Sequence, residues 1–262
     1  MSHTILRPQS PGPDLWVCHL GLVPYATALA AQESLRSRRQ AGEIPDTLLL
    51  LEHPPVYTLG RRAAQEDLLL GAEHHRRLGI EVVPVDRGGK ITYHGPGQLV
   101  GYPIMAIGDV LRHVRLMERA IVGALAQEGV QARARTQDGA DFTGVWVAER
   151  KIASIGVHVR RGVSTHGFAV NVENDLEPFT RVIACGLPGV LMTSLALESH
   201  GAGEGLRCFR KRVAHSFCQA HGRRQRIVSA VRLGIDAADP TRLASERAPL
   251  IPVVAPGEPV PA

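Results

Sequence analysis

Two side chains in this sequence could together form a reactive nucleophile. Cys185 sits in Ala184-Cys-Gly-Leu-Pro-Gly189, a turn bounded by glycine and proline, where a thiol can stay accessible and the Gly186 amide can turn towards an oxyanion. Lys151 opens the otherwise mostly apolar run Lys-Ile-Ala-Ser-Ile-Gly156. A thiol of ordinary pKa, about 8.5, is only a few per cent ionised at neutral pH, and a neighbouring ammonium in a partly buried pocket lowers that value and supplies the thiolate nucleophile. Each residue also has a plainer reading. A lone strand lysine commonly snorkels to solvent, and a free cysteine is commonly a small buried hydrophobe.

A third segment, Arg87-Gly-Gly-Lys-Ile-Thr-Tyr-His-Gly-Pro-Gly-Gln98, lies between two expected strands. Gly88, Gly89, Gly95 and Gly97 allow positive φ and close approach of backbone to a ligand, while Arg87, Thr92, Tyr93 and His94 can line the space around it. The competing reading is a glycine-rich turn that only satisfies strand geometry. The GxxxxGK[ST] spacing of a P-loop is missing. His53, in Glu52-His-Pro-Pro55, is a further candidate polar contact, although a single histidine is more often structural.

The elements that must carry these residues follow from periodicity. Tyr25 to Gln40 reads as a helix stopped at Gly42, Thr47 to Glu52 as a buried strand, and Val56 to Leu59 as extended chain before Gly60. Glu81 to Asp86 and Gln98 to Met105 read as strands. Asp109 to Gln127 places Val110, Val114, Met117, Ile121 and Leu125 on one helical stripe, with Asp109 as N-cap and Gly129 as stop. Val145 to Val147, Ile152 to Val159 and Gly167 to Val172 read as an antiparallel meander, and Leu206 to Gln219 as a last helix. Interleaved strands and helices with a meander predict an α+β fold, a mixed β-sheet with flanking helices. The packing pattern fades beyond about Gln225, so a single catalytic domain is expected over 1–226 and a disordered Pro/Ala-rich tail over 227–262.

Composition narrows the function. With 44% hydrophobic and 21% charged residues in 262, and no apolar run of bilayer length, a membrane protein is not expected. The N-terminal stretch lacks the apolar core of a secretory signal, which predicts a cytoplasmic, reducing location. Cys18, Cys185, Cys208 and Cys218 show no CxxC pairing, so free thiols are expected and no metal site. The net charge of +5 favours acidic partners, but aromatic residues make up only 4% and no nucleic-acid-binding motif is present. Much of the excess is local, in Arg207, Arg210, Lys211, Arg212, Arg223, Arg224 and Arg226, and reads either as a solvated helix face or as a docking surface for an acidic carrier protein.

Taken together, RGGKITYHGPGQLVGYPI at 87–104, GVWVAERKIASIGVHVRRGVSTHGFAVNV at 144–172, ACGLPGVLMTSL at 184–195 and EHPPVYTLGRR at 52–62 resemble, in order, the signature blocks of the lipoyl(octanoyl) transferases. The resemblance covers about Leu48 to Ser216; Cys18, Cys208, Cys218 and the C-terminal extension have no counterpart role in it. It implies the catalytic-domain fold shared by biotin and lipoate protein ligases. It also implies transfer of an octanoyl group from the phosphopantetheine of acyl carrier protein to a lysine of lipoyl domains, in 2-oxoacid dehydrogenase E2 subunits and the glycine cleavage H protein. It further implies that no nucleic acid, membrane, metal or cofactor takes part, and that thioester exchange followed by amide formation needs no ATP. By position, Cys185 matches the nucleophile and Lys151 the residue that activates it. The pocket would be lined by Arg87, Gly88, Gly89, Lys90, Ile91, Thr92, Tyr93 and His94, by Ser154, Ile155 and Gly156, and by Gly167, Phe168 and Ala169. Three rivals remain open at this level: an ATP-dependent lipoate or biotin ligase of the same fold, a cysteine hydrolase, and a non-enzymatic binding module using the basic surface.

Overall fold

The computed structural model describes residues 12–201 and 203–235. In chain order its first half contains β1 (Asp14–Leu22), α1 (Tyr25–Gln40), β2 (Thr47–Glu52), β3 (Val56–Leu59), α2 (Ala72–Arg77), β4 (Glu81–Pro84), β5 (Ile91–His94), β6 (Gln98–Ile104) and α3 (Val110–Ala126). The second half contains β7 (Arg133–Ala134), β8 (Gly144–Val147), β9 (Arg150–Arg160), β10 (Val163–Asn171), β11 (Leu191–Met192), α4 (Leu195–Glu198), α5 (Gly205–Ala220), β12 (Arg224–Ile227) and α6 (Ala230–Leu233).

One large mixed sheet runs β12-β1-β2-β6-β10-β9-β8-β7, with β11 pairing β9 beside it. β1 is parallel to both β12 and β2, and the remaining main-path pairs are antiparallel. The run Leu48 to Leu51 shows why β2 is apolar throughout rather than alternating. Leu48 and Leu50 join the core under α3 and α5, while Leu49 and Leu51 join the core under α1. Both faces of the sheet are covered by helices, so both sets of side chains leave water. α3 begins where expected, with the Asp109 carboxylate accepting from the Arg112 N–H at 3.0 Å. Leu206, Phe209, Val213 and Phe217 of α5 are buried against it.

A second sheet, β4-β3-β5, packs a third apolar cluster of Tyr57, Ile91, Tyr93 and Phe179 against the segment that leads to Cys185. Here the structure corrects the reading of 87–98 as a continuous loop. Residues Ile91–His94 are a strand paired with β3, Thr92 opposite Thr58, and only the glycines on either side remain loop. Elsewhere the expected strand from Glu81 ends at Pro84, and the one from Gln98 ends at Ile104. β1 was not anticipated by any periodicity, because Trp16 and His19 interrupt its apolar alternation.

The domain boundary also moves. Residues 227–235, assigned to a tail, belong to the domain: Ile227 pairs with Val17 of β1, and Leu233 and Ile235 are 2% and 3% exposed in the core beneath α1. The expected disorder of 236–262 concerns residues outside those described. The basic cluster is largely neutralised within the fold. Arg212 bonds Glu128 and Glu204, Arg223 bonds Asp46, Arg224 and Arg226 flank Asp14, and Arg210 donates to the Leu20 carbonyl. If residues 227–235 hold the core closed, Leu233→Ala should destabilise the protein by about 2–4 kcal/mol in urea unfolding. A change within about 0.5 kcal/mol would place them in a detached tail.

Candidate active site

A cavity of about 310 Å³ opens between the large sheet, the small sheet and the start of α3. Its walls contain Arg87, Gly88, Gly89, Lys90, Ile91, Thr92 and His94 from one side, Ser154, Ile155 and Gly156 of β9, Gly167, Phe168 and Ala169 of β10, and both Lys151 and Cys185. Residues as far apart in sequence as Arg87 and Cys185 therefore share one space because close backbone approach is possible at glycine. The Gly88 N–H donates to the Val157 carbonyl at 3.0 Å, and a Cβ on Gly156 would sit 2.8 Å from the Gly88 carbonyl oxygen. Likewise, a Cβ on Gly101 would lie 2.1 Å from the Phe168 ring, so the bare glycine of β6 admits that ring.

Tyr93 and His53 are not in the lining. Alternation along β5 sends Thr92 and His94 to the cavity, whereas Tyr93 packs with Tyr57 and Phe179 on the opposite side. His53 is fully buried behind the cavity wall. Burial holds it neutral, with its pKa lowered to about 4, so its Nδ1–H donates to the Val23 carbonyl and its Nε2 accepts from the Tyr102 hydroxyl, each at 2.7 Å. Tyr102 in turn lines the cavity. His94, pushed well below the usual histidine range by burial and by neighbouring His53, donates from Nδ1 to the Gln98 side-chain oxygen at 2.8 Å.

Sequence reasoning missed Tyr25, Arg62, Tyr102, Val110, Val114, Asp141 and His166. Val110 and Val114 were legible as part of the α3 stripe, but not that the stripe's first turn runs past the core into the cavity. His166 adopts φ 54° and is tied down by Asp86, whose carboxylate accepts from its Nε2–H at 2.7 Å. That arrangement leaves no local pattern in sequence.

Lys151 is only 1% exposed, which excludes snorkelling. Its Nζ lies 5.2 Å from the centroid of the Trp146 ring, and no Asp or Glu among the described residues forms an ion pair with it. The lysine stem fits because residue 144 is glycine: a Cβ there would be 2.9 Å from Lys151 Cε. The cysteine loop is clamped to the same strand, since Met192 of β11 pairs with Lys151 and the Thr193 N–H donates to the Lys151 carbonyl at 2.9 Å.

Cys185 itself has φ 57°, a left-handed conformation that is uncommon for a side-chain-bearing residue and must be held by its surroundings. Its N–H donates to the Ile91 carbonyl at 2.9 Å, and the Ser154 hydroxyl lies 3.5 Å from its sulfur. Burial pushes the thiol up, but the Lys151 charge, hydrogen bonds from Ser154 and Lys151, and the Arg87 charge together bring it below the ordinary thiol value. Cys18 and Cys218, buried with no such partners, are pushed up to about 11. The Gly186 amide does not face the cavity as expected: it donates to the Ile183 carbonyl at 3.2 Å. The buried hydroxyl of Thr92, a cavity-lining residue, in contrast has no hydrogen-bond partner among the described residues.

Comparison with known proteins identifies the fold and the family. The sequence profile of the lipoyl protein ligase A/B catalytic domain matches residues 24–217. An octanoyltransferase of Solibacter usitatus is 48% identical over 182 residues, covering 68% of this chain and 81% of that protein. One of Rubrobacter xylanophilus is 49% identical over 182 residues, covering 68% and 80%. Among solved structures, lipoate-protein ligase A bound with ATP superposes with a TM-score of 0.72 at 19% identity, covering 90% of this chain and 93% of that one, which shows the shared fold. The chain therefore belongs to the lipoyl protein ligase A/B catalytic domain family and, within it, stands with the octanoyltransferases.

Proposed function

We propose that octanoyl transfer passes through a thioester on Cys185 and that Lys151 manages its protons. The observation that carries this reading is geometric: buried Lys151 and Cys185 line one cavity, with the Ser154 hydroxyl 3.5 Å from the Cys185 sulfur, a setting that lowers this thiol while burial alone raises Cys18 and Cys218. A thiol and a lysine held together in a water-poor cavity make a nucleophile that ionises more readily than an ordinary thiol and an acid within reach of it.

In the first half-reaction the Cys185 sulfur attacks the carbonyl of an octanoyl thioester. The donor fitting the family is octanoyl acyl carrier protein. The tetrahedral oxyanion can accept from the Thr92 and Ser154 hydroxyls, the donors the cavity offers in place of the Gly186 amide. As the bond to the donor sulfur breaks, that sulfur takes a proton from Lys151 and leaves as a thiol. The neutral Lys151 amine then removes a proton from the ammonium of the acceptor lysine, and the freed amine attacks the Cys185 thioester. Amide formation releases Cys185 as thiolate, Lys151 regains its charge, and the second amine proton passes to solvent. Exchange of thioesters is nearly isoenergetic and the amide is downhill, so no nucleotide or other cofactor is required.

Apolar groups from Ile155, Val157, Phe168, Val110 and Val114 give the acyl chain its surface. The acceptors are lipoyl domains, with those of 2-oxoacid dehydrogenase E2 subunits and the glycine cleavage H protein as the expected members. The free state of all four cysteines suits a reducing cytoplasm, and among the described residues no helix is long and apolar enough to cross a membrane.

Mixing the protein with octanoyl acyl carrier protein, without acceptor or ATP, should raise its intact mass by one octanoyl group. The adduct should vanish in Cys185→Ala. An unmodified wild-type protein, together with acylation of a lipoyl domain only when ATP and free octanoate are supplied, would overturn the thioester route.

A further inference from the structure

The cavity at Cys185 does not end at its mouth. It continues into an open depression of about 350 Å³ lined by Arg61, Arg62, Gly88 and Gly89, and three of these residues, Arg62, Gly88 and Gly89, border both spaces. Two of the three shared residues are glycines, which add no side chain between the two spaces. Arg61 and Arg62 follow β3 on a ribbon whose position is fixed: their N–H groups donate to the Arg87 and Gly89 carbonyls at 3.0 and 3.1 Å. Both side chains are exposed. Arg61 has no carboxylate partner among the described residues, and Arg62 bonds Asp141 at 3.0 Å in a pair that is about half exposed at each end. Such a pair contributes little, so it can be exchanged for a more strongly bound anion. Lys90, the neighbouring cation, already faces the buried Asp67 carboxylate at 3.6 Å.

We propose that Arg61 and Arg62 form a phosphate subsite for the phosphopantetheine arm of the donor. This rests on the reading of the donor as a phosphopantetheine thioester, and it adds where the arm's phosphate is held. The spacing fits that chemistry. From Cys185 the path crosses one hydrogen bond to Ile91, two residues back to Gly89, and one hydrogen bond to Arg62. Two strand spacings and two residue rises amount to roughly 16 Å at most. An extended pantetheine arm runs about a dozen bonds from sulfur to phosphorus, roughly 15 Å at the reach per bond of an extended chain. Two guanidinium groups at that distance can grip a phosphate through paired N–H donors, while Gly88 and Gly89 leave room for the arm between phosphate and thioester.

The test compares two carrier-free donors that differ only in the phosphate, S-octanoyl-4′-phosphopantetheine and S-octanoyl-pantetheine, by kcat/KM for transfer to a lipoyl domain. Wild-type protein should prefer the phosphorylated donor by about tenfold or more. The double variant Arg61→Ala, Arg62→Ala should bring the two donors within about twofold of each other. Asp141→Asn breaks the same surface pair but keeps both arginines, and it should retain the preference, so a loss there would mean that the loop contact matters and not the cations. No preference in wild type, or a preference that survives in the double variant, would overturn the subsite. So would a double variant that is impaired only with octanoyl acyl carrier protein, because the arginines would then meet the carrier's acidic surface. Failure of every donor to acylate Cys185 is a different result and would overturn the thioester route itself.

Discussion

A buried lysine with no carboxylate partner among the described residues is the constraint around which this site is built. Removing a lysine charge from water costs several kcal/mol unless other charge or polarisable groups take the place of solvent. At Lys151 the compensating groups are the Trp146 ring and the Cys185 sulfur. The Trp146 ring is itself oriented, because its indole N–H donates to the Phe142 carbonyl at 2.9 Å and the Arg135 guanidinium lies over both the Phe142 and the Trp146 rings. In the proposed mechanism the lysine stabilises the thiolate, and the thiolate makes the buried lysine tolerable. Each half of the pair would be unfavourable alone.

Holding that pair together falls to elements far apart in the chain. β9 supplies Lys151 and Ser154, β11 clamps the cysteine loop onto the end of β9, and the Ile91 carbonyl of the small sheet fixes the Cys185 amide. Three of the contacts work only because a glycine is present: Gly144 beside the lysine stem, Gly156 under the 87–89 backbone, and Gly101 beneath Phe168. The positive φ at Cys185 is the strained step in this arrangement, and it occurs at the residue that must present its sulfur to the cavity.

Much of this was legible in the sequence where a pattern is local. The caps and stripes of α3 and α5 and the apolar run of β2 translate directly into burial on a helix face or on both sheet faces. The proposed pair of Cys185 and Lys151 was legible only through the ordered blocks around it, since a strand lysine and a turn cysteine taken singly have commoner fates. What failed did so for physical reasons. Ile91–His94 looked like loop because the glycines flanking it dominate the composition, yet four residues suffice for a strand when β3 is available to pair. That same pairing turned Tyr93 away from the cavity. Residues 227–235 looked like tail because β12 is mostly arginine and glutamine on an edge, and its anchors, Leu233 and Ile235, are two apolar residues without periodicity.

The most direct test of the account is the pH dependence of Cys185 alkylation by iodoacetamide, followed on the Cys185 peptide, in wild type and in Lys151→Met. Only the thiolate reacts, so the rate rises as pH passes upward through the thiol pKa. Wild-type Cys185 should react with a midpoint below that of a free thiol, about 8.5, and lose reactivity as pH falls through that lowered midpoint. Lys151→Met keeps the buried stem but removes the charge that offsets burial, so the midpoint should move above the free-thiol value, towards the level of about 11 imposed on Cys18 and Cys218, with at least about tenfold slower alkylation at pH 7. An unchanged midpoint in Lys151→Met would contradict the claim that the buried lysine makes the nucleophile.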